Sequence, residues 1–116
     1  MNHYHNTHST IWRSLILCLK SDIQQNFIPD VSETNADIFG SLVIQIAVSC
    51  NPLLTWINTG AVNNSKQIQH VSEVKNKLYK IIPLFDSIER QTHFKEFIPA
   101  LDFYIEILNS SKSNVE

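Results

Sequence analysis

The chain has 116 residues, of which 43% are hydrophobic and 17% charged, with a formal net charge of −2 at neutral pH. That length fits one domain, and the balance of charges argues against a general nucleic-acid binder, which needs a basic excess to neutralise phosphates. The charged fraction lies below the ~25% typical of soluble domains, and a weakly charged surface favours contact with another protein because little charge must be desolvated.

The first nine residues are polar and lack the basic start and apolar stretch of a secretory signal peptide. No apolar run reaches the ~18–20 residues of a membrane span, so we expect a soluble, intracellular protein with a disordered arm over residues 1–9. The arm contains His3, His5 and His8, and His3 with a free amino terminus could form a square-planar Cu(II) or Ni(II) site. Such an arm offers no shaped cavity, and we expect no metal site there.

Two helices are predicted in the first half of the chain. The first begins near Thr10, ends at Pro29 and buries one apolar stripe. The second is capped by Ser32 and is apolar nearly all round over residues 36–50, so it is either central or covered on one side by another chain. The Asn-Pro pair at 51–52 should break it, and Gly60 should end a short continuation. The stripe of the first helix is Trp12, Leu15, Ile16, Leu19, Ile23 and Phe27.

Two further helices are predicted in the second half, capped by Ser65 and Thr92. Pro83 and Pro99 lie within their patterns, where a proline either kinks a helix or begins a new one. No segment alternates as a strand would. The stripes are Ile68, Val71, Val74, Leu78, Ile81, Ile82 and Phe85 in the third helix, and Phe94, Phe97, Ile98, Leu101, Ile105 and Leu108 in the fourth.

The two prolines belong to an internal echo between residues 80–86 and 96–102, each with Pro after two apolar residues and Asp three after Pro. If both prolines begin helices, the chain holds six or seven short helices, and the pattern resembles HEAT or armadillo repeats. Its spacing is too short for a full repeat of ~40 residues. We therefore predict an all-α bundle of four principal helices over residues 10–109, with possible short repeat-like packing and a frayed polar tail at 110–116, and assign no family.

Catalytic signatures are missing from the sequence. It contains no serine-nucleophile motif, and its two glycines cannot build a phosphate-binding loop. Cys18 and Cys50 lie in apolar helical patterns without metal-site spacing, which predicts two small core thiols. We expect no catalytic residue, no metal and no cofactor. The alternative is a small helical enzyme or metal-handling protein whose site assembles from separated residues such as Cys18, His70, His93 and Glu96.

The remaining signal is a surplus of apolar residues at the edges of the stripes, where aromatic side chains often form interface hot spots. The sequence therefore predicts a non-enzymatic protein–protein interaction module, a complex subunit or small inhibitor that docks through apolar helix faces. Its partner would be another protein or a second copy, and neither nucleic acid nor a membrane. The predicted partner-binding residues are Trp56, Ile57, Val62, Tyr79 and Tyr104.

Overall fold

A computed structural model describes the backbone of residues 3–25, 32–59 and 63–115, and the side chains of 10–25, 32–57 and 63–110. Over these ranges the chain is helical and contains no strand, which confirms the predicted all-α bundle of four long helices. The α-helices are α1 (His3–Gln25), α2 (Ala36–Thr59), α3 (Asn64–Ile81), the short α4 (Ile88–Lys95) and α5 (Phe97–Val115). Two 3-10 turns, Glu33–Asn35 and Ile82–Leu84, precede α2 and follow α3.

Contacts between the helices fix their directions. Asn64, at the start of α3, donates to the carbonyl of Leu108 late in α5. Lys75, late in α3, pairs with Asp102 early in α5 at 2.6 Å. These two helices are therefore antiparallel. The same reasoning makes α2 antiparallel to α3 and α1 antiparallel to α5, which gives an up-down-up-down bundle. The contacts concerned are Trp56–His70 and Lys77–Ser49 for the first pair. For the second they are Trp12–Tyr104 and Asp22–His93, where His93 lies in α4 with its ring against Phe97 at the start of α5.

The core consists largely of the predicted apolar stripes, since one face of each long helix points to the bundle axis. Of the predicted stripe residues whose side chains are described, Leu15, Ile68 and Ile105 are only partly buried, and the others are buried. Phe27, Pro29 and Gly60 lie outside the described residues. The α2 contribution is the stripe Phe39, Leu42, Val43, Ile46, Cys50, Leu53 and Ile57.

The predicted break at Pro52 is wrong, because α2 runs through it without interruption. Proline removes the hydrogen bond to the carbonyl four residues earlier and costs about 3 kcal/mol in a helix interior. That carbonyl belongs to Val48, whose side chain is exposed, so water can satisfy it. On either side of the proline, Cys50 and Leu53 are fully buried. Tertiary packing therefore outweighs the local preference for a break.

Two predicted helix caps are also wrong. The cap of α3 is Asn63, whose side chain accepts from the backbone N–H of Lys66 at 2.9 Å, and Ser65 lies inside the first turn. The cap of α4 is Ser87, which accepts from the N–H of Arg90 at 3.0 Å. Thr92 lies within α4. In both cases the helix begins earlier than its apolar stripe, so the first apolar residue is a poor guide to the cap.

The prolines of the internal echo occupy different structures. Pro83 lies in the 3-10 turn that follows α3, whereas Pro99 lies in the first turn of α5, where its missing N–H is not needed. The predicted fourth helix is accordingly divided into α4 and α5 at Glu96. Because the two echo segments differ in conformation, the echo does not correspond to two equivalent structural repeats.

Both chain ends are more helical than expected. Helix α1 begins at His3 rather than near Thr10, and α5 continues to Val115. Residues 3–10 contain neither glycine nor proline to stop a helix from extending toward the N-terminus. The side chains of His3, His5 and His8 lie outside the described ones. The independence of the 1–9 arm and the 110–116 tail from the folded domain stays a prediction.

Helix α2 also bears on the expectation that no segment could span a membrane. Because Pro52 does not interrupt it, the segment 33–57 is long and apolar enough to do so by length and composition. The buried share of its apolar window is 44%, through packing against other helices of the bundle. The core helix of a soluble protein also meets this criterion of length and composition, and the compact bundle supports the predicted solubility.

Candidate functional site

The structure places two of the predicted partner-binding residues in the core. Ile57 is buried, and Tyr104 is completely buried where α1 meets α5. The ring of Tyr104 stacks on Trp12 with centroids 4.6 Å apart, and its hydroxyl donates to Oε1 of Gln67 at 3.3 Å. Burial raises the pKa of the Tyr104 phenol well above its usual range. In the folded chain neither residue presents its side chain to a partner.

Trp56 and Tyr79 lie apart from each other. Trp56 is half-buried between α2 and α3, where its ring lies edge-on to the ring of His70 with the centroids 5.1 Å apart. Tyr79 is 56% exposed on α3. Val62 lies outside the described residues. Trp56 and Tyr79 therefore do not combine into one surface, and a partner-binding role for the predicted residues stays a prediction.

A more coherent apolar surface lies on the outer side of α2. Ile38, Ile44 and Val48 are 58%, 65% and 59% exposed, although each is a large aliphatic residue. Ser41 and Gln45 lie between them at spacings of three and four residues, which places them on the same side of a helix. We call these five residues the α2 face.

The α2 face can lose its water at little cost. No charged residue and no histidine occurs anywhere in residues 38–59. Its two polar side chains also share a hydrogen bond, since Nε2 of Gln45 donates to Oγ of Ser41 at 3.0 Å. Burying a polar group costs most when its hydrogen bonds are lost, so this internal bond lowers the cost of covering the face.

The α2 face could have been identified from the sequence, although the predicted partner-binding residues do not include it. The stripe from Phe39 to Ile57 sets the inward direction of α2, and Ile44 and Val48 fall on the opposite side. Apolar residues on the far side of an established stripe are surplus to the core. The direction in which each residue points from α2, together with the uncharged run 38–59, therefore favours Ile44 and Val48 over Tyr104 as partner-binding residues.

Two shallow grooves flank α3. One, of about 520 Å³, lies between α2 and the end of α3 and shares residues with the α2 face. The other, of about 450 Å³, lies between α3 and the α4–α5 segment and gathers both echo prolines. The first is lined by Asp37, Ile38, Ser41, Leu42, Gln45, Lys80 and Leu84, and the second by Tyr79, Ile82, Pro83, Gln91, Lys95, Ile98 and Pro99.

The residues of the alternative, spatially assembled site converge only in part. Oδ2 of Asp22 lies 2.9 Å from Nε2 of His93 and 4.0 Å from Sγ of Cys18. The carboxylate thus contacts both the imidazole and the thiol, whereas a nucleophilic cysteine needs the imidazole itself as its base. His70 lies elsewhere, against Trp56. Among the described residues, no group of three or more His, Cys, Asp or Glu side chains is suited to hold a metal ion.

The two cysteines differ in their surroundings. Cys50 is fully buried, and burial raises the pKa of its thiol to about 12 despite the opposing charge of Lys20. Cys18 is exposed, so the prediction that both thiols lie in the core is wrong for Cys18. Its position faces away from the α1 stripe of Trp12 and Ile16. Both cysteines are free, and Cys50 is not a nucleophile at neutral pH because it stays protonated.

The chain matches no protein-family model, and neither a curated protein nor a solved structure matches it significantly. Its function must therefore be inferred from its sequence and geometry.

Proposed function

We propose that this chain is a non-enzymatic protein-interaction module, a complex subunit or small inhibitor, that docks another polypeptide through the α2 face. The observation that carries the proposal is the combination of three exposed aliphatic side chains with the uncharged run 38–59. Single exposed apolar residues are ordinary, but a contiguous apolar patch usually indicates an interaction site.

The chemistry of the face indicates the kind of contact it makes. Ile38, Ile44 and Val48 carry no hydrogen-bonding side-chain atoms, so their contribution to affinity comes from burial of apolar area. The face has no charge with which to steer an approaching partner, and association should proceed at the rate of ordinary unsteered docking. An apolar face on another helix would complement this surface, as in helix-in-groove recognition.

The test is a pair of matched lysine substitutions. Ile44→Lys introduces a charge at the centre of the α2 face, whereas Ile88→Lys introduces it on α4, where the native side chain is 77% exposed and away from the face. Both positions are exposed, so both variants should melt within error of the wild type. Binding is measured as self-association by sedimentation and as recovery of co-purifying proteins by quantitative mass spectrometry.

We expect Ile44→Lys to weaken association about tenfold or more, the effect of losing an interface hot spot. Ile88→Lys should associate like the wild type. Equal loss from both substitutions, or undiminished association of Ile44→Lys, would rule out the α2 face as the docking surface.

A further inference from the structure

The groove between α2 and α3 joins apolar and charged groups in one place. Its first flank is α2, with Asp37 and Ser41, and its second flank is the end of α3 and the following turn, with Lys80 and Leu84. Leu42 is buried beneath it, and Ile38 is 58% exposed within it. The groove therefore has an apolar centre, an acidic side chain on one flank and a basic side chain on the other.

The two charged side chains are available to a partner. Asp37 and Lys80 are both exposed, and neither forms an ion pair with another described residue. Because α2 and α3 are antiparallel, Asp37 at the start of α2 and Lys80 at the end of α3 lie at the same end of the groove on opposite flanks. A two-fold axis that runs along the groove in the contact plane would therefore bring Asp37 of one molecule opposite Lys80 of the other, and the reverse. This is the self-complementary pattern that a two-fold interface requires.

We propose that the occupant of this groove is a second copy of the chain, related by that two-fold axis. The proposal rests on the docking role of the α2 face and names its partner. Ile38 of each copy would lie near the axis and pack against its equivalent. Two symmetric ion pairs between Asp37 and Lys80 would flank that contact and fix its register.

The extent of the surface predicts a weak dimer. A stable interface buries roughly 800 Å² on each partner, and one helix face with its adjoining groove offers less than that. A dissociation constant on the order of micromolar fits a small apolar centre with two exposed ion pairs. Since exposed pairs are screened by salt, the dimer should weaken as ionic strength rises.

The decisive experiment reverses the two charges separately and together. Asp37→Lys places like charges opposite each other twice in the dimer, and Lys80→Glu does the same with acidic groups. Each single variant should dimerise about tenfold to thirtyfold more weakly, given that two exposed pairs change from attraction to repulsion. The double variant Asp37→Lys/Lys80→Glu restores opposite charges and should dimerise like the wild type.

Mixing the two single variants provides an independent arm. A heterodimer of Asp37→Lys with Lys80→Glu has opposite charges at both contacts, so the mixture should associate more tightly than either variant alone. Glu106→Lys and Lys66→Glu change net charge equally at exposed positions outside the groove and should leave dimerisation unchanged. Dissociation constants come from sedimentation at low salt, and thermal melts check that each variant is folded.

The outcomes separate this inference from the proposed function. A wild type that dimerises through Ile44 but ignores both charge reversals overturns the two-fold groove contact and leaves the α2 face as a docking surface. A chain that stays monomeric to about a millimolar, yet binds another protein in an Ile44-dependent way, does the same. Rescue by the double variant and by mixing supports the inference, and a chain that associates neither with itself nor with another protein overturns both proposals.

Discussion

Trp12 and Tyr104 form an aromatic layer between α1 and α5. This layer and the α2 face both consist of large apolar side chains, but the first is buried and the second is exposed. In the first, Trp12 and Tyr104 stack and lose nearly all contact with water. In the second, Ile44 and Val48 stay more exposed than buried. The difference lies in helix phase, since Tyr104 points along the inward stripe of α5 whereas Ile44 points away from the stripe of α2. Residue type alone does not separate core from docking surface in a small bundle.

Polar groups make the same contrast. The Tyr104 hydroxyl is buried and needs Gln67 as a specific partner on another helix. The polar side chains of the α2 face instead bond to each other within one helix, Gln45 to Ser41. The hydrogen bond of the aromatic layer therefore forms only when the bundle is assembled, whereas that of the α2 face joins two residues of the same helix. The first region should be sensitive to substitution and the second tolerant of it.

The largest expected effect is on the stability of the aromatic layer. Trp12→Ala removes a buried ring stacked on Tyr104 and should lower the free energy of unfolding by about 3–5 kcal/mol. Ile44→Ala, on the α2 face, should change it by less than about 0.5 kcal/mol. Urea denaturation at concentrations where the chain is monomeric measures both. Comparable losses from the two substitutions would mean that the α2 face is already covered within one chain.

The next effect is a loss of stability in alkali. Burial raises the pKa of Cys50 to about 12 and raises that of Tyr104, from ordinary values of 9.0 and 10.0. Above pH 9 the unfolded chain releases protons that the folded chain keeps, so the stability present below pH 9 is lost as the pH rises. The slope is at most about 1.4 kcal/mol per pH unit for each group.

Urea denaturation between pH 7 and 11 measures that slope. Tyr104→Phe should remove the contribution of the phenol. A profile that stays flat to pH 11 would show that water reaches the buried thiol and phenol without unfolding.

The smallest effect is a gain. Gly40 lies inside α2, and a Cβ added there would meet nothing within 4 Å. Alanine has a higher helix propensity than glycine, so Gly40→Ala should stabilise the chain by about 0.5–1 kcal/mol. Thermal or urea unfolding measures the gain. If the variant is less stable than the wild type, another group packs against α2 at that position. This side of α2 would then be as tightly packed as the aromatic layer.

Much of the fold could be predicted from the sequence because periodicity is a strong signal over three or four turns. The stripe beginning at Trp12 and the stripe ending at Phe85 were both identified, and both line the core. Helix ends were harder to predict. Pro52 satisfies a local rule for a break that packing overrides, and Asn63 precedes its stripe by several residues. At helix ends the local preferences of the residues compete with tertiary contacts, and only the local preferences can be inferred from the sequence.

The apolar character of the candidate site could be predicted, but not the residues that form it. A surplus of apolar residues on α2 was visible, and so was the need for a second covering surface. The particular residues depended on which side of α2 its neighbours occupy, and that follows from how α1 and α3 pack. For the same reason, the choice of Tyr104 as a surface residue could not be corrected without the position of Trp12.

Pro52 has a consequence for the motions of α2. With no N–H at Pro52, the hydrogen-bond ladder of the helix is interrupted once, between that residue and the carbonyl of Val48. The N–H groups of residues 53–55 still span the proline, so the four turns before it and the two turns after it are joined by one backbone bond fewer than in an unbroken ladder. We expect the shorter piece to open before the longer one, because helix ends open more readily than helix centres. Amide hydrogen exchange would then be faster after Pro52 than before it, with the docking surface on the slower side.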